Sequence, residues 1–394
     1  MTIPLSVKLL DKLSYLGVVL PTFSSLLQGG DPFDAIGVDG LNVRLYRDWP
    51  ANPTLLEDWD HLAGALPHGS VFQSPTWQGA VARPFIRVGR YRLCAVQRGD
   101  ALKAVLPLQV GAGGILETPG EMISDYLEPL VAGEAEPDAI ESSWRSMLRM
   151  LRLEAGDGAP IVLHNVTVDG SCRATLSAIA PQEGYTLEET DTGAAARIPL
   201  AATWEDYLAT LDGRERKELK RKLKNATSGA GARLESVFTP GVELHAELER
   251  VFRYMEAAGG AKGVKARWTY RPIFRRVAAQ LAWTGRLKVY RLMLNDQPAA
   301  GLICFPSRNG PMMWAGGFDA EYAKWSPGIV LFAMTIRDAI ENGAKSFDLL
   351  RGQSRYKSEL GAVDYPLKRL TLTPGTARAT ASPNNGDHAE HADQ

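Results

Sequence analysis

The chain has 394 residues, of which 45% are hydrophobic and 23% charged, a composition typical of a soluble globular protein with room for two or three domains. Its formal net charge of −1 excludes a global field that would draw it to nucleic acid or membrane, so we expect no DNA partner. Three widely spaced cysteines, Cys94, Cys172 and Cys304, lie in or beside apolar runs, and the histidines show no ligand spacing. We therefore expect buried free thiols, and neither a disulfide framework nor a bound metal.

The first segment of the chain, residues 1–40, is poorly defined by its sequence. Leu13–Leu27 is fairly apolar, but it contains Pro21 and several hydroxyl side chains, and no clear cleavage site accompanies it. It is too short and too interrupted to span a bilayer. A poorly ordered or surface-lying amphipathic start is favoured over a signal peptide. No later stretch approaches a transmembrane run, so we expect a cytoplasmic enzyme.

A first α/β half is predicted over residues 41–200. Thr54–Leu66 is predicted to be a helix capped by Thr54, because Glu57 follows three residues later as in a capping box. Ser74-Pro75 marks a second helix start. Runs bounded by turn residues predict the other elements. They are the strands Leu41–Arg47, Tyr91–Gln97, Ala101–Val110, Pro160–Asn165, Gly184–Glu189 and Ala194–Pro199, and the helices Pro137–Glu154 and Cys172–Ala180.

A basic helical connector is predicted over residues 201–285. Its most charged stretch, Arg214–Lys224, reads RERKELKRKLK and carries only a narrow apolar stripe. Such a helix is either a solvated element across a domain junction or a basic face for an anionic substrate or cofactor phosphate, and the sequence leaves both open. Further helices are predicted at Val242–Ala257 and Thr269–Trp283. The glycine- and lysine-rich link between them, Ala258–Lys265, is predicted to be a mobile lid.

A second α/β half is predicted over residues 286–373, with a disordered tail over 374–394. Its strands and helix are predicted at Arg286–Leu294, Ala299–Pro306, Pro311–Phe318, Ile329–Asn342 (the helix) and Ser346–Leu350. The helix follows Ser326-Pro327-Gly328, in which serine suits the N-cap, proline the first position, and glycine adds no side chain. Because the first N–H groups of a helix are unpaired and partly positive, this start predicts either a phosphate site or an ordinary cap.

The two halves repeat one order of elements: a hairpin, a turn-rich strand region, a helix and a short apolar strand. We therefore predict an α/β fold made of two tandem mixed-sheet units with helices on the faces. The first unit has Glu134-Ala135-Glu136-Pro137 before its helix, which is acidic and hostile to phosphate. In the second unit, polar residues gather where strands end and the helix begins, so we expect the site there.

Several motifs together resemble one enzyme family. They are Ser74-Pro75-x-Trp77, the basic Arg214–Lys224 segment, Lys324–Gly328 (KWSPG) with the helix after it, Phe347–Gly352 (FDLLRG) and Tyr356-Lys357. In this order they resemble the cellulose-biosynthesis-type acetyltransferases, the CelD-like branch of the GNAT acyl-CoA N-acyltransferases. The resemblance covers roughly Ser70–Leu372. The repeated unit is also similar to the double-GNAT architecture of Fem-type peptidoglycan aminoacyltransferases.

The resemblance implies direct acyl transfer from acetyl-CoA or another acyl-CoA to an amine, or a hydroxyl, with no covalent enzyme intermediate. The implied acceptor is a sugar or a cell-envelope or exopolysaccharide precursor, and the implied setting is association with membrane-bound polysaccharide machinery. GNAT enzymes usually hold the CoA pyrophosphate on a Q/R-x-x-G-x-G/A loop, whereas Tyr322–Gly328 reads YAKWSPG, with one glycine. This departure leaves two alternatives open: a Fem-like enzyme that takes aminoacyl-tRNA, and a non-catalytic scaffold of a polysaccharide-synthesis complex.

Acyl transfer of this kind needs a group that removes a proton from the amine and a group that protonates the leaving thiolate. We expect Asp348 to act on the amine, with Asp319 as its rival, and Tyr356 to lie near the thiol. Each has a structural alternative, since Asp348 could instead pair with Arg351 or cap a helix, and Tyr356 could be a rim aromatic. The expected cofactor-binding residues are Lys324, Ser326, Pro327, Gly328 and Ile329, and the expected substrate-binding residues are Arg351, Gly352, Arg355 and Lys357.

Overall fold

The computed structural model describes residues 32–79, 86–87, 89–133, 136–155, 158–168 and 170–375. The apolar stretch Leu13–Leu27, part of the acidic Glu134–Pro137 segment and nearly all of the predicted tail lie outside the described residues. Cys94, Cys172 and Cys304 are buried and free of disulfides, as the sequence predicts. Among the described residues, no helix combines the length and apolarity needed to cross a membrane.

The helices cover both faces of one sheet. Their bounds are α1 Pro53–Ala65, α2 Pro75–Trp77, α3 Pro137–Ala155, α4 Ser171–Ile179, α5 Trp204–Thr210, α6 Gly213–Ala230, α7 Val242–Ala257, α8 Gly260–Lys265, α9 Arg271–Trp283, α10 Pro327–Glu341 and α11 Arg355–Glu359. A π-helical turn, Ala266–Tyr270, joins α8 to α9. A 3₁₀ helix, Ala320–Trp325, precedes α10.

The strands are β1 Phe33–Ile36, β2 Asn42–Tyr46, β3 Tyr91–Arg98, β4 Ala101–Val110, β5 Leu116–Glu117, β6 Leu130–Val131, β7 Ile161–Thr167, β8 Tyr185–Pro199, β9 Arg233–Val237, β10 Lys288–Leu294, β11 Gln297–Ser307, β12 Gly310–Phe318, β13 Ser346–Arg351 and β14 Val363–Pro374. They form one 14-stranded sheet in the order β1-β2-β3-β4-β5-β7-β14-β8-β13-β12-β11-β10-β9, with β6 paired to β4.

The two halves share one topology. In the first, the antiparallel hairpin β3–β4 continues into β5, α3 crosses over, and β7 returns parallel to β5. In the second, the hairpin β10–β11 continues into β12, α10 crosses over, and β13 returns parallel to β12. Each returning strand has an irregular register and one non-glycine residue of positive φ, Asn165 in β7 and Leu350 in β13. The prediction of two tandem α/β units is confirmed.

The halves exchange their last strands. β8, the last strand of the first half, pairs with β13 of the second half. β14, the last strand of the second half, pairs with β7 of the first. The two exchanged strands also pair with each other along their length, from Val363 opposite Arg197 to Pro374 opposite Tyr185. The sheet therefore runs through both halves without a break, and neither half completes its own sheet.

Apolar packing positions the second half. On one sheet face, α5, α6 and α10 share a core with β8 and β10–β13. On the other face, α7 and α9 pack against the sheet together with residues of the first half. The ring of Phe305 lies 5.8 Å from that of Phe72 and 5.5 Å from that of Trp77. The helix that starts at Ser74-Pro75 thus packs against the second half. The side chain of Ser74 caps this helix, as predicted.

Several local predictions are wrong in detail. The cap of α1 is Asn52, whose side chain accepts from the N–H of Leu55, so Thr54 lies inside the helix. The link predicted to be a mobile lid holds helix α8 instead. The two short strands predicted over 184–199 form the single strand β8. Strands β1, β9 and β14 and helix α5 were not predicted from the sequence.

Candidate functional site

The start of α10 has the shape expected of an anion site. Ser326 occupies the N-cap position, as predicted, but it adopts a left-handed conformation (φ 53°) and its hydroxyl makes no capping bond. The first backbone bond of the helix runs from the N–H of Val330 to the carbonyl of Ser326, at 3.1 Å. Within the described chain, the N–H groups of Gly328 and Ile329 have no hydrogen-bond partner. They are therefore available to a ligand.

The side chains around this helix start leave it open. Pro327 is buried at the first helical position. A Cβ on Gly328 would lie 3.5 Å from the ring of Phe318, an ordinary contact, so packing does not require glycine here. Lys324 is exposed, with its ammonium 5.2 Å from the ring centre of Trp325. Two free N–H groups with no bulky side chain over them allow close approach of a phosphate.

Two neighbouring strands separate beside this helix start. β12 and β13 are parallel, and a single register pair, Met312 opposite Asp348, joins them. Beyond that pair, β12 continues to Phe318 and β13 to Arg351 without a further pair. β12 also carries a register irregularity against β11 at Ile303/Cys304. The two strands therefore separate towards their C-terminal ends, next to the start of α10.

Asp348 lies at the point where the strands separate, and it is 6% exposed. The hydroxyl of Tyr126 lies 3.0 Å from its Oδ1 and 2.9 Å from its Oδ2. The N–H of Leu350 donates to Oδ1 at 2.8 Å, and an Arg197 nitrogen lies 3.4 Å from Oδ2. Burial raises the pKa of Asp348, and Arg197 and the two donors oppose that rise. A buried carboxylate of raised pKa is a better proton acceptor than an exposed one.

A second carboxylate nearby was missed from the sequence. Asp125 accepts a 2.8 Å bond from the guanidinium of Arg351, which also reaches Asn165 Oδ1 at 3.2 Å and the Glu121 carbonyl at 2.8 Å. Burial raises the pKa of Asp125, while Arg351 opposes the rise. Arg351 pairs with Asp125 rather than with Asp348. No sequence pattern links residues 226 positions apart, so only the fold brings these two together.

Asp348 and Tyr356 lie on opposite faces of the sheet. Phe347 and Leu349 alternate with Asp348 and belong to the core on the α10 face. Tyr356 packs on that same face, with its ring stacked 5.1 Å from that of Phe332 in α10. Burial raises the pKa of Tyr356. The two predicted groups therefore do not share one surface.

The prediction that Lys357 binds substrate needs correction. Lys357 is 6% exposed, and its ammonium donates to the carbonyls of Leu349, Leu350, Arg351 and Gly352 at 2.8, 3.0, 3.2 and 2.6 Å. It holds the loop after β13 from inside. Four acceptors already satisfy a group that has only three protons to donate.

The remaining predicted residues have ordinary surroundings. Arg355 is exposed and pairs with Glu359 at 2.7 Å. Gly352 has a positive φ of 97°, so its glycine serves the turn. Asp319 caps the 3₁₀ helix before α10 by accepting from the N–H of Glu321 at 3.0 Å. This capping bond engages one oxygen of the rival carboxylate.

A wide cationic groove lies between the first half of α6 and α11, with a volume of about 1180 Å³. Its lining holds seven basic and three acidic side chains: Arg214, Arg216, Lys217, Lys220, Arg221, Lys222 and Arg355, with Glu215, Glu218 and Glu359. The basic helix was predicted from the sequence. The groove also depends on α11, which was not predicted as an element. Among the described residues, no group of three or more His, Cys, Asp or Glu side chains is placed to hold a metal.

Comparison with known proteins agrees with this geometry. Residues 213–358 match the family model described as acetyltransferase (GNAT) domain. The matched stretch begins at the first residue of α6 and ends within α11, so it contains the cationic groove, the start of α10 and β13. No curated protein matches the chain in sequence.

Two solved structures resemble the fold. The crystal structure of FemX has a TM-score of 0.54 at 13% identity, over 79% of this chain and 95% of that chain. A conserved protein of unknown function from Bacteroides thetaiotaomicron has a TM-score of 0.51 at 13% identity, over 81% of this chain and 97% of that chain. Identities this low carry the fold alone. Residues 213–358 are thus similar to an acetyltransferase (GNAT) domain, and they lie within an α/β fold similar to that of FemX.

Proposed function

We propose that the chain transfers an acyl group from acyl-CoA, acetyl-CoA being the simplest, directly to an amine or hydroxyl of a sugar or cell-envelope precursor. One observation carries the proposal. The open start of α10, with two N–H groups free of partners, lies beside the gap between β12 and β13, and Asp348 lies at that gap. The CelD-like specificity, the polysaccharide setting and the cytoplasmic location expected from the motifs belong to this proposal.

In the proposed reaction the donor lies on the α10 face. Ser326–Ile329 would receive its pyrophosphate, and the thioester would reach the gap between β12 and β13. The acceptor amine approaches from the opposite face, where Asp348 takes its proton directly or through one water. The amine nitrogen bonds to the thioester carbon, the carbon–sulfur bond breaks, and Tyr356 on the donor face protonates the leaving thiolate.

Donor binding tests the first step. Acetyl-CoA at 100 times its Kd should stabilise the wild-type protein by about 2.7 kcal/mol, measured as a rise in Tm. Gly328→Glu places a negative side chain at the helix start and should abolish the rise. Gly328→Ala is the matched control, since its Cβ meets only the ring of Phe318 at 3.5 Å. A wild-type protein that ignores saturating acyl-CoA would count against the proposal.

Turnover tests the second step. Asp348→Asn should lower turnover about 10²–10⁴-fold with donor binding nearly unchanged, and the loss should shrink at high pH, where more amine is already neutral. Tyr356→Phe should lose less, because a CoA thiolate is a fair leaving group unaided. Asp319→Asn tests the rival carboxylate. Full turnover in Asp348→Asn with a loss in Asp319→Asn would reverse the assignment.

Two other functions keep a specific observation in their favour. The cationic groove favours an aminoacyl-tRNA donor, because phosphate backbones bind basic grooves. The bonded state of Asp348 favours a non-catalytic scaffold, because Tyr126, Arg197 and the N–H of Leu350 already engage both oxygens of its carboxylate. Binding of aminoacyl-tRNA without acyl-CoA would select the first. Absence of binding to either donor would select the second.

A further inference from the structure

The cationic groove has a charge that the rest of the protein does not share. Its lining has an excess of four positive charges, whereas the whole chain has a formal charge of −1. Arg221 and Lys222 pair with Glu218, and Arg355 pairs with Glu359. An anionic partner would neutralise this local excess of positive charge.

Four of the groove cations have no ion pair within the described chain: Arg214, Arg216, Lys217 and Lys220. Arg214, Lys217 and Lys220 are exposed, and they follow one another every three residues on α6. Their row faces away from Leu219 and the rest of the apolar stripe. Like charges spaced one turn apart repel in the free protein, so an anionic ligand would relieve them.

The groove opens towards the donor side of the proposed site. Arg355 lines it, and the next residue, Tyr356, stacks on Phe332 of α10. The far end of α6 lies at the start of α10, because a Cβ on Gly229 would touch the ring of Trp325. The groove residues 213–222 precede Gly229 by seven to sixteen residues, which places them roughly 10–24 Å away along the helix.

That distance matches the length of a flexible arm that carries a thioester. A phosphopantetheine arm is about as long as five residues of extended chain, roughly 17 Å. A partner seated in the groove could therefore pass such an arm beside α10 to the gap between β12 and β13. We propose that the groove docks an acidic carrier protein that presents the acyl group on a phosphopantetheine arm. This rests on the proposed acyl transfer and differs from it in what carries the thioester.

The lining favours an acidic protein over other polyanions. It contains no aromatic side chain on which a base could stack, and three carboxylates interrupt its basic row. A membrane surface takes up apolar side chains, but none of the residues that line the groove is a large hydrophobic. Interspersed arginine, lysine and glutamate suit a protein helix whose own charges are mostly acidic.

The chemistry is that of the proposed reaction with a different leaving group. The acceptor amine bonds to the acyl carbon, and the carbon–sulfur bond to the arm breaks. The proton released by the amine is taken up at Asp348, and the arm leaves as a thiol on the carrier, protonated from the Tyr356 side. No oxidant or further reactant is required.

The test uses a panel of purified acidic acyl carrier proteins in their holo and acetylated forms. Binding to the full chain is measured by fluorescence anisotropy at low and high salt. The double variant Lys217→Glu/Lys220→Glu should weaken binding about ten-fold or more, and high salt should weaken wild-type binding. Lys345→Glu is the control, since Lys345 is an exposed lysine with no ion pair in the described chain, at the far end of α10. It should stay within about two-fold of wild type.

Separate arms of the test use acetyl-CoA and a single-stranded RNA as probes. Carrier binding that the double variant loses, with the acetyl-CoA response of the protein unchanged, supports the proposal. Carrier binding without any response to acetyl-CoA supports it too and removes CoA as the donor. The proposal is overturned if no carrier binds. It is also overturned if the double variant loses RNA or acetyl-CoA binding instead of carrier binding.

Discussion

Lys357→Met removes an ammonium that the sequence assigns to substrate and the structure assigns to the loop after β13. Met keeps the buried stem but cannot donate. The bonds to the Leu349 and Leu350 carbonyls are buried, at 2.8 and 3.0 Å, whereas those to Arg351 and Gly352 are part-buried and can regain water. Two lost charge-assisted bonds at about 1.5–3 kcal/mol each predict a loss of about 3–6 kcal/mol in the free energy of unfolding.

Urea unfolding followed by circular dichroism measures this loss. Lys345→Met changes an exposed lysine with no ion pair in the described chain and should alter stability by less than about 0.5 kcal/mol. A loss below about 1 kcal/mol in Lys357→Met, together with weaker acceptor binding, would refute the structural role. Lys357 would then be the substrate contact that its motif suggests.

Two further predictions concern stability. The stability of Asp348→Asn relative to the wild type should increase as the pH rises from about 4. The raised pKa of Asp348 means that the wild type loses stability as its buried carboxyl ionises, and the loss is complete above that pKa; parallel urea curves for the two proteins from pH 4 to 7 would contradict this. Asn52→Ala should lower the free energy of unfolding by about 1 kcal/mol, because it removes the cap of α1. Thermal unfolding of Asn52→Ala and Thr54→Ala measures this loss. A larger loss in Thr54→Ala would mean that Thr54 is the cap, as predicted from the sequence.

Local sequence patterns were enough to predict five elements of the second half. β10 to β13 and α10 lie within two or three residues of their predicted bounds, because alternation and the Ser-Pro-Gly start act over a few neighbours. β14 has similar alternation, but Pro366 interrupts it, and proline inside a run argues against a strand. In the structure Pro366 lies opposite Ala194 in β8. The strand tolerates the proline there because the register is irregular next to it, between Leu367 and Lys368. The strand depends on a partner that is distant in sequence.

The candidate site was predictable only where it is local. The start of α10 is encoded by three consecutive residues, and the structure has the open N–H groups that they imply. The partners of Asp348 and Arg351 come from the first half, more than 150 residues away. The motif FDLLRG lies on the predicted strand β13, which carries Asp348 and Arg351. It could not show which of them face a ligand and which face Tyr126 or Asp125.

The exchange of strands decides what the matched domain can do alone. Residues 213–358 contain Asp348 but neither β8, which supplies Arg197, nor the loop that supplies Tyr126. They also end before β14. Without those partners, the N–H of Leu350 would be the one remaining hydrogen-bond donor to Asp348 of those described above. The first half therefore acts as part of the site of the second half, because it fixes the protonation and position of the residue at the gap.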